Sequence, residues 1–91
     1  AVPVGPANIE AEAALLGALL MDNRLVDRVA DKVRAEDFVE PLHGRIFTAI
    51  LSMTGQGGSA NPVTLRPFLA DDPALQQVGG LAYLATIMGT G

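Results

Sequence analysis

An all-α fold, a compact bundle of five or six short helices, is the class this sequence predicts, and three observations carry it. Apolar residues recur at three- and four-residue spacing in at least three segments, the period of an amphipathic helix. Nowhere do β-branched residues alternate over a strand's length. Aromatics number only three Phe and one Tyr in 91 residues, so the core must be built from Leu, Ile, Val and Ala. A chain this long supports one domain.

Each element can be placed in order. Residues 1–7, AVPVGPA, carry two prolines and a glycine and predict an extended arm or linker, with the domain proper at 8–91. Asn8 is a suitable N-cap for the first helix, and Glu10 and Glu12 place negative charge in its first turns, where the helix dipole favours it. That helix runs through Leu15, Leu16, Leu19 and Leu20 and stops near Met21. A glycine inside a helix costs about 1 kcal/mol relative to alanine, so Gly17 predicts a close helix crossing.

Asp22 and Asn23 punctuate the chain, and Leu25, Val26, Val29, Ala30 and Val33 then predict an amphipathic second helix. Residues 34–41 predict a short turn whose Phe38 plugs the core. A third, long helix follows Pro41, with Leu42, Ile46, Phe47, Ile50, Leu51 and Met53 on its apolar stripe and Gly55 at its end. The loop from Gly55 to Pro62 is the most flexible-looking internal segment. Thr64 is expected to cap a helix burying Leu65, Phe68 and Leu69, closed by Asp71-Asp72-Pro73. A turn at Leu75 to Val78 and the pair Gly79-Gly80 lead to a last helix bearing Leu81, Tyr83, Leu84, Ile87 and Met88.

Composition excludes several functions. The formal charge of −4 and pI near 4.6 work against binding a phosphate backbone. Cysteine is absent, so no disulfide or thiolate metal site is available and a cytoplasmic location is expected. The longest apolar run, Ala13 to Met21, is too short to span a membrane and follows no basic segment, so neither a span nor a signal peptide is expected.

Candidate chemistry is sparse. No Gly-Lys pair exists to build a phosphate-binding loop, so no nucleotide site, ATP or magnesium is expected within this chain. His43 is the single histidine, and Glu36, Asp37 and Glu40 nearby invite a metal or acid/base reading. The i, i+4 pairing of a zinc helix is missing, however, and packing or capping in a first helical turn explains the residue. Glu10 with Glu12, and Asp71 with Asp72, occupy helix ends where carboxylates are ordinary. No catalytic and no metal-ligating residue is assigned.

In order along the chain stand Asn8-Ile9-Glu10-Ala11-Glu12, Leu16-Gly17-Ala18-Leu19-Leu20, Glu36-Asp37-Phe38, His43, Ile46-Phe47, Ala49-Ile50, Val63-Thr64-Leu65 and Val78-Gly79-Gly80-Leu81-Ala82-Tyr83-Leu84. This ordered set resembles the amino-terminal domain of DnaB-type replicative helicases over nearly the whole chain. Val39 stands where the family usually has an aromatic, Asn61-Pro62 replaces an aspartate-containing approach to Val63-Thr64, and Pro67 is unusual within its helix.

The resemblance implies a non-catalytic helical head, with the helical hairpin and the motor lying outside this sequence. It implies oligomerisation in a hexamer collar, weakened for the head alone, and contact with primase or a helicase loader; ATP and magnesium belong to the parent helicase. Leu16, Gly17, Leu20, Phe38, Ile46, Phe47, Ile50 and Leu84 are the expected fold-defining positions. Glu10, at the exposed start of the first helix, and Tyr83, an apolar ring with a polar tip, are the candidate partner contacts. The rival readings are a helicase-binding domain of a primase and an unrelated helical regulator. A helix-turn-helix reader should carry a basic recognition helix, yet Arg24 and Arg28 share theirs with Asp27 and Asp31.

Overall fold

The computed structural model describes residues 8–89, so the expected arm at 1–7 and the last two residues of the head lie outside the described residues. Six helices and no strand occur among these residues: α1 Ile9–Met21, α2 Val26–Val29, α3 Pro41–Gly55, α4 Arg66–Leu69, α5 Pro73–Gln77 and α6 Ala82–Met88. Two 3₁₀ turns, Asn23–Leu25 and Ala35–Asp37, join α1 to α2 and lead into α3.

The two long helices start and stop for local reasons. Asn8 caps α1, its side-chain oxygen accepting from the Ala11 amide at 3.0 Å. Glu40 caps α3, with Pro41 in the first turn, where an amide is dispensable. At the far end of α3, Gly57 adopts φ 86°, and the amides of Gly57 and Gly58 return to Thr54 and Met53, the Schellman closure.

Around these helices lies a core containing Leu16, Leu19, Ile46, Phe47, Ile50, Leu65, Leu75 and Leu84, each fully inaccessible to solvent. Leu20 and Phe38 are buried at its edge, and the rings of Phe38 and Phe47 meet at 5.3 Å, tilted by 45°. Helix α1 packs against α6 and α3. A Cβ built on Gly17 would lie 2.0 Å from the Ile87 carbonyl oxygen and 2.8 Å from its carbon. The backbones of α1 and α6 therefore approach to a distance that only glycine permits.

The smaller elements depart from the expected pattern. The second helix is one turn of α-helix preceded by a 3₁₀ turn, not a continuous run to Val33. Its Asn, Asp and Val residues are weak helix formers, and a tight Lys32-to-Val29 bond curls the chain until Val33 reaches the core. The segment from Gly55 to Pro62, expected to be loose, is tied down. Asn23 donates to the Leu19 carbonyl at 2.7 Å and the Ala60 carbonyl at 3.1 Å, and accepts from the Ala60 amide at 2.7 Å. Ala60 is buried as a result.

Thr64 does not cap α4. No side chain caps α4, whose N-cap is Leu65; Asn61 instead holds the turn before it, accepting from the Val63 and Thr64 amides at 2.9 Å, while Thr64 Oγ1 accepts from the Asn61 amide at 3.0 Å. Pro67 sits in the first turn of α4, where an amide is dispensable, and Phe68 faces outward at 42% exposure, against the expectation that it is buried. Asp72 does not simply close α4; it caps α5, the expected turn at Leu75 to Val78, by accepting from Ala74 and Leu75.

Candidate functional site

Glu12 stands four residues before Leu16 on the inner face of α1, and that register carries its carboxylate into the core with no solvent exposure. A buried charge requires partners, and three are provided. Oε2 accepts from the Val39 amide at 2.5 Å, and Oε1 accepts from the Glu40 amide at 3.2 Å and lies 2.9 Å from His43 Nδ1. The strand-like approach to α3 is thereby stapled to α1.

His43 is also fully buried, on the stripe of α3 shared with Ile46, Phe47 and Ile50. Its second nitrogen, Nε2, lies 2.7 Å from the Tyr83 hydroxyl, and the two rings are nearly parallel, 10° apart, with centroids at 6.0 Å. Tyr83 is delivered by the turn before α6. Gly79 and Gly80 take φ 111° and 71°, and their amides return to Gln76 and Leu75, a second Schellman closure that reverses the chain.

The result is a continuous polar line, Glu12 to His43 to Tyr83, drawn from α1, α3 and α6. Burial, and then the nearby carboxylates of Glu40 and Glu12, push the Tyr83 phenol above its ordinary range. The line ends in a cleft of about 250 Å³ bordered by Ile9, Glu40, Leu42, His43, Ala74, Gln77, Val78 and Tyr83.

The expected neighbours of His43 are elsewhere engaged. Asp37 accepts from the Arg34 amide and Glu40 from the Leu42 amide, both as caps, while Glu36 is exposed. Among the described residues no group of three or more His, Cys, Asp or Glu is placed to hold a metal ion. Glu12, read from the sequence as a dipole complement, is the partner that reading missed. Glu10 is exposed on the first turn of α1, next to Ile9 of the cleft wall.

Comparison with known proteins gives this arrangement a family. The model described as DnaB-like helicase N terminal domain matches residues 4–90. The chain belongs to that family. It is 43% identical over 83 residues to the replicative DNA helicase DnaB of Rickettsia conorii, covering 91% of this chain and 17% of that protein. The Mycobacterium leprae replicative DNA helicase DnaB is 33% identical over 85 residues, 93% of this chain and 14% of the relative. The chain thus spans less than a fifth of the length of these relatives.

Among solved structures, the crystal structure of the N-terminal domain of DnaB helicase from Mycobacterium tuberculosis superposes with a TM-score of 0.83 at 32% identity, covering 94% of this chain and 60% of that one. The all-helical architecture is therefore that of the DnaB amino-terminal domain. In this DnaB-type domain a second groove, lined by Arg45, Thr48, Ala49, Ser52, Phe68, Leu69 and Asp72, lies between α3 and α4. Arg45 grips Asp72 there through two hydrogen bonds of 2.5 and 3.1 Å. No helix among the described residues is long and apolar enough to cross a membrane.

Proposed function

We propose that this chain is a non-catalytic interaction domain of a hexameric replicative DNA helicase, one that supports the hexamer collar and receives primase in the cytoplasm. The observation that carries the reading is the family match over residues 4–90, shared with relatives named as replicative helicases. Three features support it. The sequence has no Gly-Lys phosphate loop, its net charge of −4 disfavours direct nucleic-acid contact, and its polar line ends in a surface cleft rather than at a nucleophile. ATP and magnesium belong to the motor of the parent helicase, and a helicase loader is a second partner for the same domain.

The test is titration of the isotope-labelled chain with the helicase-binding domain of the primase from the same organism, read by amide shifts. Perturbation around Ile9, Glu10 and Tyr83, reduced by Glu10→Ala and Tyr83→Ala, is the expected result. Unchanged spectra at the highest attainable concentration, or ATP turnover by the chain alone, would defeat the reading.

A further inference from the structure

The line from Glu12 to Tyr83 dictates where its protons point. Both Glu12 oxygens accept backbone amides, Oε2 from Val39 at 2.5 Å and Oε1 from Glu40 at 3.2 Å, so the carboxylate meets the imidazole as an acceptor. At 2.9 Å a bare Nδ1 would set lone pair against lone pair with an ionised Glu12, so the tautomer that fits a carboxylate carries its hydrogen on Nδ1. A neutral imidazole has one N–H. In that neutral tautomer Nε2 is bare and accepts a hydrogen bond from the Tyr83 hydroxyl at 2.7 Å. With its single hydrogen committed inward, the Tyr83 oxygen offers the cleft lone pairs alone.

The rest of the cleft agrees in sign and shape. Glu40 brings a carboxylate, Ile9, Leu42, Ala74 and Val78 bring apolar walls, and neither Lys nor Arg is among the described residues that border it. Burial first, and then the Glu40 and Glu12 carboxylates, oppose ionisation of Tyr83. A volume of about 250 Å³ accepts one extended side chain rather than a folded element.

We propose that this cleft is a docking site for a lysine or arginine side chain of a partner protein. Tyr83 Oη and the Glu40 carboxylate accept its N–H groups, and the apolar walls cover its methylene stem. Glu12 and His43 are positioning residues that act through Tyr83. The assignment names the partner chemistry of the interaction-domain reading and rests on that reading for its biological meaning. A proton dependence follows. The groups facing the imidazole are Glu12 from α1 and Tyr83 from α6, and Glu40, at the start of α3, borders the same cleft. Protonated His43 donates from Nε2, so the Tyr83 hydroxyl must accept, and its own hydrogen swings into the cleft against the cation.

The experiment uses the chain itself with two small probes, N-acetyl-arginine methylamide and N-acetyl-glutamate methylamide. Long-range proton–nitrogen spectra should find Nε2 bare when the imidazole is neutral. The arginine probe should shift the amides of Leu42, Ala74 and Tyr83, and the glutamate probe should not. Tyr83→Phe, which keeps the ring and removes the oxygen, should weaken arginine binding by about tenfold, the scale of one charge-assisted hydrogen bond. Lowering the pH until the ring signals report protonation should weaken binding to the natural chain far more than to Tyr83→Phe. A hydrogen on Nε2 with Nδ1 bare, an equal response to the glutamate probe, or unchanged affinity in Tyr83→Phe would overturn the assignment. Arginine binding without primase binding would support the cleft while removing the helicase-partner reading; primase binding without arginine binding would overturn the cleft alone.

Discussion

At position 12 a carboxylate occupies the inner face of α1, where the spacing to Leu16, Leu19 and Leu20 suits a leucine. Its three partners explain why the residue is tolerated, and they also set the consequence of removing it. Glu12→Ala would strand the buried His43 and the Val39 and Glu40 amides, and breaking such a network costs about 3–5 kcal/mol. Glu12→Gln, which keeps an acceptor, should cost less. Urea unfolding measures both, and equal midpoints for Glu12→Ala and the natural chain would refute the account. Gly17 makes the opposite argument, from space rather than charge. Alanine is the better helix former by about 1 kcal/mol, yet its methyl would stand 2.0 Å from the Ile87 carbonyl oxygen. Forced separation of α1 from α6 should win by about 1–3 kcal/mol, lowering the melting temperature by about 4–8 °C for each kcal/mol. A higher melting temperature for Gly17→Ala would show that the two helices yield. The glycine was legible in the sequence because an interior helix glycine has a known cost. Glu12 was not, because the dipole explanation for a first-turn acid hides the one signal available, its i, i+4 and i, i+7 register with leucines.

Among the elements, α1 and α3 were readable because cap, proline and apolar stripe all agree with one another. The segments α2 and α4 were legible as helices but not in their limits, and α5 only as a turn at Leu75 to Val78, because each is about one turn long and too short for an apolar period to show its ends. Phe68 is exposed although the apolar spacing predicted its burial, and the glycine-rich loop is held by Asn23, which reaches Ala60 across 37 positions, and by the Thr64 hydroxyl, which donates to the Ser59 carbonyl. The α5 cap gives a test with a definite sign. The Arg45 guanidinium above all, and after it the Leu75 and Ala74 amides, hold the Asp72 carboxyl below the ordinary carboxylate range. In the unfolded chain Asp72 takes up its proton first as the pH falls, near the ordinary value of about 3.9. Its contribution to stability is therefore fully present above that value and is lost as the pH drops through the lower folded value. Urea midpoints of the natural chain and Asp72→Asn should differ most near neutrality and converge below about pH 4. A gap that does not change with pH would mean that the cap and the Arg45 pair add nothing through charge.

For the molecule as a whole, size governs what it can hold. The described residues expose 5224 Å², and a standard stable interface takes about 800 Å² from each partner, about 15% of that surface. The exposed apolar residues Ile9, Met21, Val39, Val63, Phe68 and Val78 come from separate elements, and the clefts described here each suit a side chain or a short segment. A small contact seldom gives a stable complex by itself. If the proposed function holds, the partner surface is shared between this head and further helicase sequence in paired subunits, as the family resemblance implies. Presenting two linked sites can then raise avidity by about 10² to 10⁴ without a new kind of contact. The expectation is that this chain binds the primase helicase-binding domain weakly and sediments largely as a monomer. A longer chain that includes the adjoining helical segment should pair and bind far more tightly. Calorimetric titration of both, beside sedimentation velocity on each, measures the difference. Equal affinities would place the whole partner surface on this head and defeat the argument from area. Tighter binding by the longer chain while it remains monomeric would assign the gain to added contact area rather than to paired sites.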